Sequence, residues 1–354
     1  MTKKINVAIL FGGKSAEHEV SLRSAKNVIE ALDKSKFNPI LIGIDITGHW
    51  LLNENSRELL EHNIPQEIAL LPEHQGEMIN FSDLNKKQKI DVVFPILHGP
   101  FGEDGTVQGL LKLADVPFVG AGVLGSAIGM DKDVMKRLLR DAGLPVGKFI
   151  TFKDFEVPTY KKLTDELGSP FFIKPANLGS SVGVHKIKNK IGYEKALADA
   201  FQYDRKIIAE EFIEGREIEC AVLGNEEPIA STPGEIIVNS EFYSYEAKYL
   251  DDKGATLQIP AKLSNELSAE IQYLAVQTFK TLCCEGLGRV DFFLKKNGKV
   301  LINEINTIPG FTSISMYPKL WEESGLKYSE LITRLLELAI ERYQKESKLK
   351  TARS

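Results

Sequence analysis

Two strand-like apolar runs flank Asn297-Gly298 in the segment GRVDFFLKKNGKVLINEIN (Gly288–Asn306), and no other segment constrains this chain so tightly. Asn-Gly between alternating hydrophobic residues is the strongest short-range hairpin signal, because both residues tolerate the positive φ of a tight turn. With that dipeptide as the turn, Asp291 stands opposite Glu304 and Arg289 opposite Asn306. Side chains alternate along a strand, so these four share one face. Val290, Leu294, Leu301 and Ile305 fall on the other and read as core. Directly opposed carboxylates have Cβ atoms about 5 Å apart and destabilise a sheet. A divalent cation removes that penalty, since hard cations take carboxylate and amide oxygens. The alternatives are a surface hairpin that happens to be charged, or one in which Arg289 balances an acid without metal.

A second segment points to phosphate. Phe171–Lys174 is apolar up to its lysine and is followed by Pro175 and Asn177–Gly183, Asn-Leu-Gly-Ser-Ser-Val-Gly, before a further strand with Val184 and Ile187. Such a loop offers backbone N–H groups and hydroxyls to phosphate oxygens, with Lys174 adding charge. It is not a P-loop, since GxxxxGK[ST] leading into a helix is missing. By itself it reads equally well as an ordinary turn.

The remaining chain reads as mixed α/β. Ile5–Phe11, an amphipathic stripe (Val20, Ala25, Val28, Ile29, Leu32) and Pro39–Ile44 make a βαβ opening. A strand over Asp91–Leu97 leads into His98–Gly105 (HGPFGEDG), a helix near Val107–Leu113 and a short strand at Pro117–Val119, so the first 120 or so residues resemble a doubly wound domain. Gly48–Lys89 is polar and poorly periodic and is expected to be a variable insertion outside the core. Helices are expected over Asp131–Ala142, Tyr193–Ala200 and Leu267–Leu282, and at the stripe Leu331, Ile332, Leu335, Leu338, Ala339.

With 354 residues, two or three domains are expected. A net charge of -5 without a basic face argues against nucleic acid, and the basic run Lys345–Arg353 reads as a solvated helix end. Cys220, Cys283 and Cys284 fit no zinc or disulfide spacing and read as buried thiols of a reducing compartment. No leader pattern and no long apolar stretch is visible, so a cytoplasmic protein is expected.

Taken together, the motifs GGKSAEHEVS (Gly12–Ser21), HGPFGEDG, MDK (Met130–Lys132), FIKPANLGSSVG (Phe172–Gly183), YEAKY (Tyr245–Tyr249), GRVDF (Gly288–Phe292) and NEINTIPGFT (Asn303–Thr312) resemble the ATP-grasp ligases, and within them the D-alanine–D-alanine ligase family. They run in the family's order over nearly the whole chain. The resemblance implies an α/β (α+β) ATP-grasp fold behind a doubly wound parallel-sheet domain. The expected division is 1–130 for substrate binding, 131–217 for the central subdomain and 218–354 for the C-terminal subdomain.

It further implies that Asp291, Glu304 and Asn306 hold two magnesium (or manganese) ions on ATP. Lys132 and Lys174 would hold its phosphates and Glu210 and Glu217 adenine and ribose, with Ser180, Ser181 and Lys248 also among the ATP-binding residues. Glu17 would bind the first D-alanine's ammonium, with Ser180 and Tyr249 as its partners and His98 nearby. Arg289 and the Gly310 N–H would stabilise the oxyanion, and Ser315 and Met316 the second carboxylate. A homodimer using D-alanine and ATP, with no membrane or nucleic-acid partner, is expected. Ile305 and Ile308 vary the family's wording, yet Ile305 lies on the core face, away from the ligands.

Physical chemistry bears on several of these positions independently. Gly12-Gly13 lacks the third glycine of a dinucleotide loop, and Glu17 and Glu19 would repel a pyrophosphate while suiting an amino group. Glu17 could instead serve as a helix N-terminal acid, His98 as a turn histidine, and Tyr243–Tyr249 as an aromatic strand face. The rival functions are a D-alanine–D-lactate ligase, a regulatory ATP-binding module and, more remotely, a dinucleotide-dependent oxidoreductase.

Overall fold

The computed structural model describes residues 3–53, 66–81, 83–238 and 255–350, arranged as three sheets with helices packed against them. Lys248 and Tyr249, with the rest of the Tyr243–Tyr249 stretch, lie outside the described residues.

The first sheet has seven strands, in the order Asp83–Lys89, Glu77–Asn80, Gln66–Leu70, Trp50–Asn53, Phe37–Ile44, Ile5–Gly12, Val92–Ile96. Ile5–Gly12 runs parallel to both neighbours, with Val7 beside Pro39 and Val92. Val7–Leu10 have no solvent exposure, as a strand covered on both faces requires. Pro117–Val119 contributes a single parallel bridge, Val93 to Phe118.

The expectation for Gly48–Lys89 is overturned. Four antiparallel strands there extend the sheet, and Ile68, Leu70 and Met78 are buried in one cluster with Ile42 and Leu111. Short antiparallel strands with one wet face keep so few apolar residues that their alternation is lost among the polar ones.

The second sheet is antiparallel, in the order His185–Ile187, Phe171–Pro175, Lys206–Glu211, Phe149–Lys153. The helices Tyr160–Leu167 and Lys190–Ala200 seal it through Leu163, Tyr193 and Ala196, packed with Phe171, Ile173 and Ile207. The third sheet runs Ala255–Gln258, Gly234–Val238, Gly215–Gly224, Gly286–Lys295, Val300–Asn306, with Ile229–Ala230 paired to Gly215–Gly224. The helix Asn265–Thr281 covers one face, setting Ile271, Leu274 and Phe279 against Cys220, Val290 and Phe292. Cys220 and Cys284 are buried as expected, but Cys283 is exposed. It sits just past the end of that helix at φ 54°, the left-handed position in which many helices terminate.

The small-residue stretch 120–130 contains the helix Val123–Met130, which is followed directly by Lys132–Asp141. The C-terminal stripe forms Tyr328–Glu346 and buries Leu331, Ile332 and Leu335 in the same cluster as Val7, Ile9 and Phe94 of the first sheet. One core therefore joins the two ends of the chain.

The hairpin keeps the expected pairing through two departures that cancel. Lys295 N–H donates to Lys299 O and Gly298 N–H to Lys295 O, so the loop is three residues, Lys296-Asn297-Gly298, with Gly298 at φ +83°. The pairs next to the turn, Leu294–Val300 and Phe292–Ile302, are accordingly one residue out of the expected register. A bulge at Asn303 restores it, and Arg289–Asn306 and Asp291–Glu304 pair as read from the sequence. Leu301 is the correction: it pairs with Phe293, on the face of the acids, while Val300 and Ile302 take the core face with Val290 and Ile305.

Candidate active site

Three neighbouring strands of the third sheet bring three acids into one row: Glu219 pairs with Asp291, and Asp291 with Glu304. Arg289 lies among them. Its Nε is 2.9 Å from Glu219 Oε2 and 2.8 Å from Asp291 Oδ1, and its Nη2 donates to Asp291 Oδ2 at 3.0 Å. Asn306 Nδ2 donates to Asp291 Oδ2 at 2.9 Å, and Lys132 Nζ stands 3.5 Å from Glu304 Oε2. The balancing of Asp291 by Arg289, posed above as an alternative to metal, is thus present. Among the described residues no three histidine, cysteine, aspartate or glutamate side chains form a metal-holding group. The donor chemistry still fits a hard divalent ion, since two opposed carboxylates and an amide oxygen are what magnesium takes beside phosphate.

Facing this floor, the second sheet and the helix Lys132–Asp141 supply the cations. Lys174 on Phe171–Pro175 and Glu210 on Lys206–Glu211 meet at 2.6 Å, and Lys136, one turn after Lys132 on Lys132–Asp141, reaches Glu210 Oε1 at 3.0 Å. Burial disfavours the Glu210 charge, but the two ammonium groups outweigh it and hold the carboxyl at about 2. Burial likewise pulls Lys136 down, whereas Glu210 and Glu304 overcome it at Lys174, which is raised. Between the sheets lies a cavity of about 310 Å³ lined by Lys132, Lys174, Ser180, Ser181, Glu210, Glu217 and Phe293, at the small end of ligand-site volumes. Its rim loop holds Ser180 at φ 53° and Ser181 at φ 61°, left-handed values uncommon for non-glycine residues and frequent at functional sites. Lys132 Nζ donates to Leu178 O at 2.8 Å, tethering that loop.

A second cavity of about 120 Å³ adjoins the first and shares Lys132, Ser180 and Glu304 with it. Its wall also carries Glu17, Glu103, Glu219, Arg289, Asn306, Gly310, Ser315 and Met316. Glu17 reaches it from the end of the first strand, where Gly12 turns at φ +88° and a Cβ would collide with Ile44 O. It occupies the N-cap position of His18–Ala31, but its side chain makes no capping bond. Its Oε2 lies 3.8 Å from where a Cβ on Gly179 would stand, so the acid and the serine loop are adjacent. A Cβ on Gly310 would meet Ser315 Oγ at 2.8 Å. Ser315 Oγ accepts from Thr312 N–H at 3.0 Å, which leaves the N-terminus of Met316–Glu323 open to an anion.

His98 is 4% exposed and does not line either cavity. Its Nδ1 lies 3.0 Å from Ile308 O and its Nε2 3.4 Å from Ser24 Oγ, so it braces the N-terminal sheet to the segment after the hairpin. Burial lowers its imidazole below the ordinary range. Glu103 accepts from Gly99 N–H at 2.7 Å and Ile308 N–H at 3.2 Å. Burial, then the charge of Glu17, pushes it up to about 8.

Lys136, Glu103, Glu219 and Phe293 were not singled out from the sequence. Lys136 was within reach, four residues after Lys132 and so on the same helix face. Glu219 shares a strand face with Glu217, but its place beside Asp291 depends on a strand pairing that no local pattern encodes.

The families described as D-ala D-ala ligase N-terminus and C-terminus match residues 6–121 and 138–337. The D-alanine--D-alanine ligase of Oceanobacillus iheyensis is 54% identical over 99% of both chains, and the D-alanine--D-alanine ligase A of Escherichia coli K12 is 51% identical over 99% of both. Among solved structures, the D-alanine-D-alanine ligase from Coxiella burnetii superposes with a TM-score of 0.87 at 40% identity, covering 98% of each chain. The VanG D-Ala:D-Ser ligase from Enterococcus faecalis gives 0.87 at 38% identity, covering 95% of this chain and all of that one.

Proposed function

The chain belongs to the D-alanine–D-alanine ligase family, and from that premise we propose that it joins two D-alanine molecules using ATP, supplying a precursor of peptidoglycan. The observation that carries this is the junction of the two cavities. A cavity of about 310 Å³ carrying Lys132, Lys136 and Lys174 shares Lys132, Ser180 and Glu304 with a smaller one lined by Glu17, Arg289 and Gly310.

Glu17 binds the ammonium of the first D-alanine and sets its carboxylate towards the γ-phosphate. A carboxylate oxygen attacks phosphorus, the bond to the β-phosphate oxygen breaks, and ADP leaves behind an acyl phosphate. Lys132 and Lys174 steady the phosphates, as expected where positioning and charge do most of the work. Asp291, Glu304 and Asn306 would hold two magnesium or manganese ions, which supply charge neutralisation on phosphate oxygens when bound. The amine of the second D-alanine, its carboxylate at Ser315 and Met316, then attacks the acyl carbon, and inorganic phosphate departs with the bonding electrons. Arg289 and the Gly310 N–H steady the oxyanion. One such donor is typically worth about 3 kcal/mol. Closure by the Ser180 loop and by Tyr249 keeps water from the acyl phosphate.

Purified protein with magnesium and ATP should release ADP only when D-alanine is present; no D-alanine-dependent release overturns the assignment. The likeness to a D-Ala:D-Ser ligase makes the second substrate a separate question. Product chromatography with D-alanine, D-serine and D-lactate in competition should give the D-Ala–D-Ala dipeptide as the main product. Replacing Tyr249 with phenylalanine should shift that selectivity; an unchanged product ratio removes Tyr249 from the lid. No helix among the described residues is long and apolar enough to cross a membrane, and a cytosolic homodimer is proposed, checked by sedimentation.

A further inference from the structure

Lys136 has no part in the roles assigned above, yet it is 3% exposed and lines the nucleotide cavity. The carboxylate of Glu210 sits between two cations, Lys174 Nζ at 2.6 Å from Oε2 and Lys136 Nζ at 3.0 Å from Oε1. All three groups are nearly inaccessible to water. They come from three elements: the helix Lys132–Asp141, the strand Phe171–Pro175 and the strand Lys206–Glu211. Glu304, on the facing sheet, is a further charged group that acts on both lysines.

Two cations on one buried carboxylate look redundant until a nucleotide arrives. If Lys174 serves a phosphate, its ammonium must leave Glu210 or share itself. A buried carboxylate stripped of its only partner is strongly destabilising, or else takes up a proton. We propose that Lys136 is a positioning residue: a standing counter-ion that keeps Glu210 ionised and oriented towards the adenine while Lys174 is transferred to the phosphates. This rests on the nucleotide assignment of the cavity and deepens it, adding a role for a residue that touches neither phosphate nor reacting atoms.

Lys136→Met removes the counter-ion while keeping most of the side-chain length. In that variant, ADP binding should leave Glu210 alone and draw in a proton. Calorimetric titration with ADP and magnesium, repeated in buffers of different ionisation enthalpy, should show about one more proton taken up than in the wild type. The KM for ATP should rise about tenfold or more, while kcat at saturating ATP stays within a few-fold. Lys136→Arg should restore both. The double variant Lys136→Met/Glu210→Gln has no charge to strand, so it should show no extra proton uptake, and its folding checks that loss of Lys136 alone has not disrupted the helix. If the single variant binds ADP with unchanged proton count and unchanged KM, Lys136 is a packing residue and the proposal fails. If wild-type protein binds no nucleotide, it is the assignment of the cavity that fails.

Discussion

Two carboxyls, Glu210 and Glu103, sit at opposite ends of the joined cavities, and their surroundings pull them in opposite directions. Glu210 is held at about 2 because two lysines outweigh its burial. Glu103 is pushed up to about 8 because burial is reinforced by the neighbouring charge of Glu17. Around Glu210 two ammonium groups therefore face one carboxylate, whereas the other end holds surplus acids with Arg289 among them. A polyanion suits the first. An ammonium ion and divalent metal suit the second. The same residue type takes different states because solvation loss is common to both sites and only the sign of the neighbours differs.

The largest expected effect comes from breaking the acidic end. Glu304→Ala removes one of the two opposed carboxylates and the carboxylate 3.5 Å from Lys132 Nζ. Turnover should fall by on the order of a thousandfold or more, the upper range for losing one electrostatic element of a transition state. A steady-state assay of ADP release checks this, and a loss under tenfold would remove Glu304 from the metal set. Arg289→Ala should cost about a hundredfold in kcat. It should also loosen Asp291, whose two oxygens Arg289 now grips. ADP affinity in that variant should change little, because the guanidinium faces the second cavity.

The opposed carboxyls make a smaller prediction with a definite sign. The folded Glu210 lies below its ordinary 4.5, so the stability it contributes is complete above about pH 4.5 and is lost as pH falls towards 2. Glu103 is raised, so its favourable state is complete below about pH 4.5 and is lost as pH rises through about 8. Denaturant midpoints across this range should show Glu103→Gln gaining on the wild type as pH rises from about 4.5 to about 8. Glu210→Gln should be weaker than the wild type at pH 7 and level with it near pH 2. Parallel pH curves for the two variants would erase the contrast between the ends.

How much of this was legible beforehand depends on the range of the signal. The first parallel strand, the C-terminal stripe and the acids of the hairpin came through because their patterns are local and periodic. The serine loop was visible as composition, while its left-handed Ser180 and Ser181 were not. Strands within 48–89 were hidden because each is short and half wet. Glu219 and Glu103 were hidden because their environments come from pairings distant in sequence: Glu219 with Asp291, and Glu103 with Ile308.

The hairpin register tests that lesson at the smallest scale. The sequence placed Asp291 opposite Glu304 by assuming a two-residue turn, yet the loop has three residues and the bulge at Asn303 restores the pairing. The acids are thus aligned by the bulge and by the neighbouring strand that places Glu219 beside Asp291, not by the turn. Gly298→Ala separates the two influences. Gly298 has φ +83° with nothing within 4 Å of the added Cβ, so alanine brings backbone strain without a clash, about 1 kcal/mol. The unfolding free energy from denaturant titration should drop by that amount while kcat and both KM values stay within twofold. If activity falls tenfold instead, the turn does set the register, and the acidic floor is less firmly fixed by its neighbours than the pairing of three strands implies.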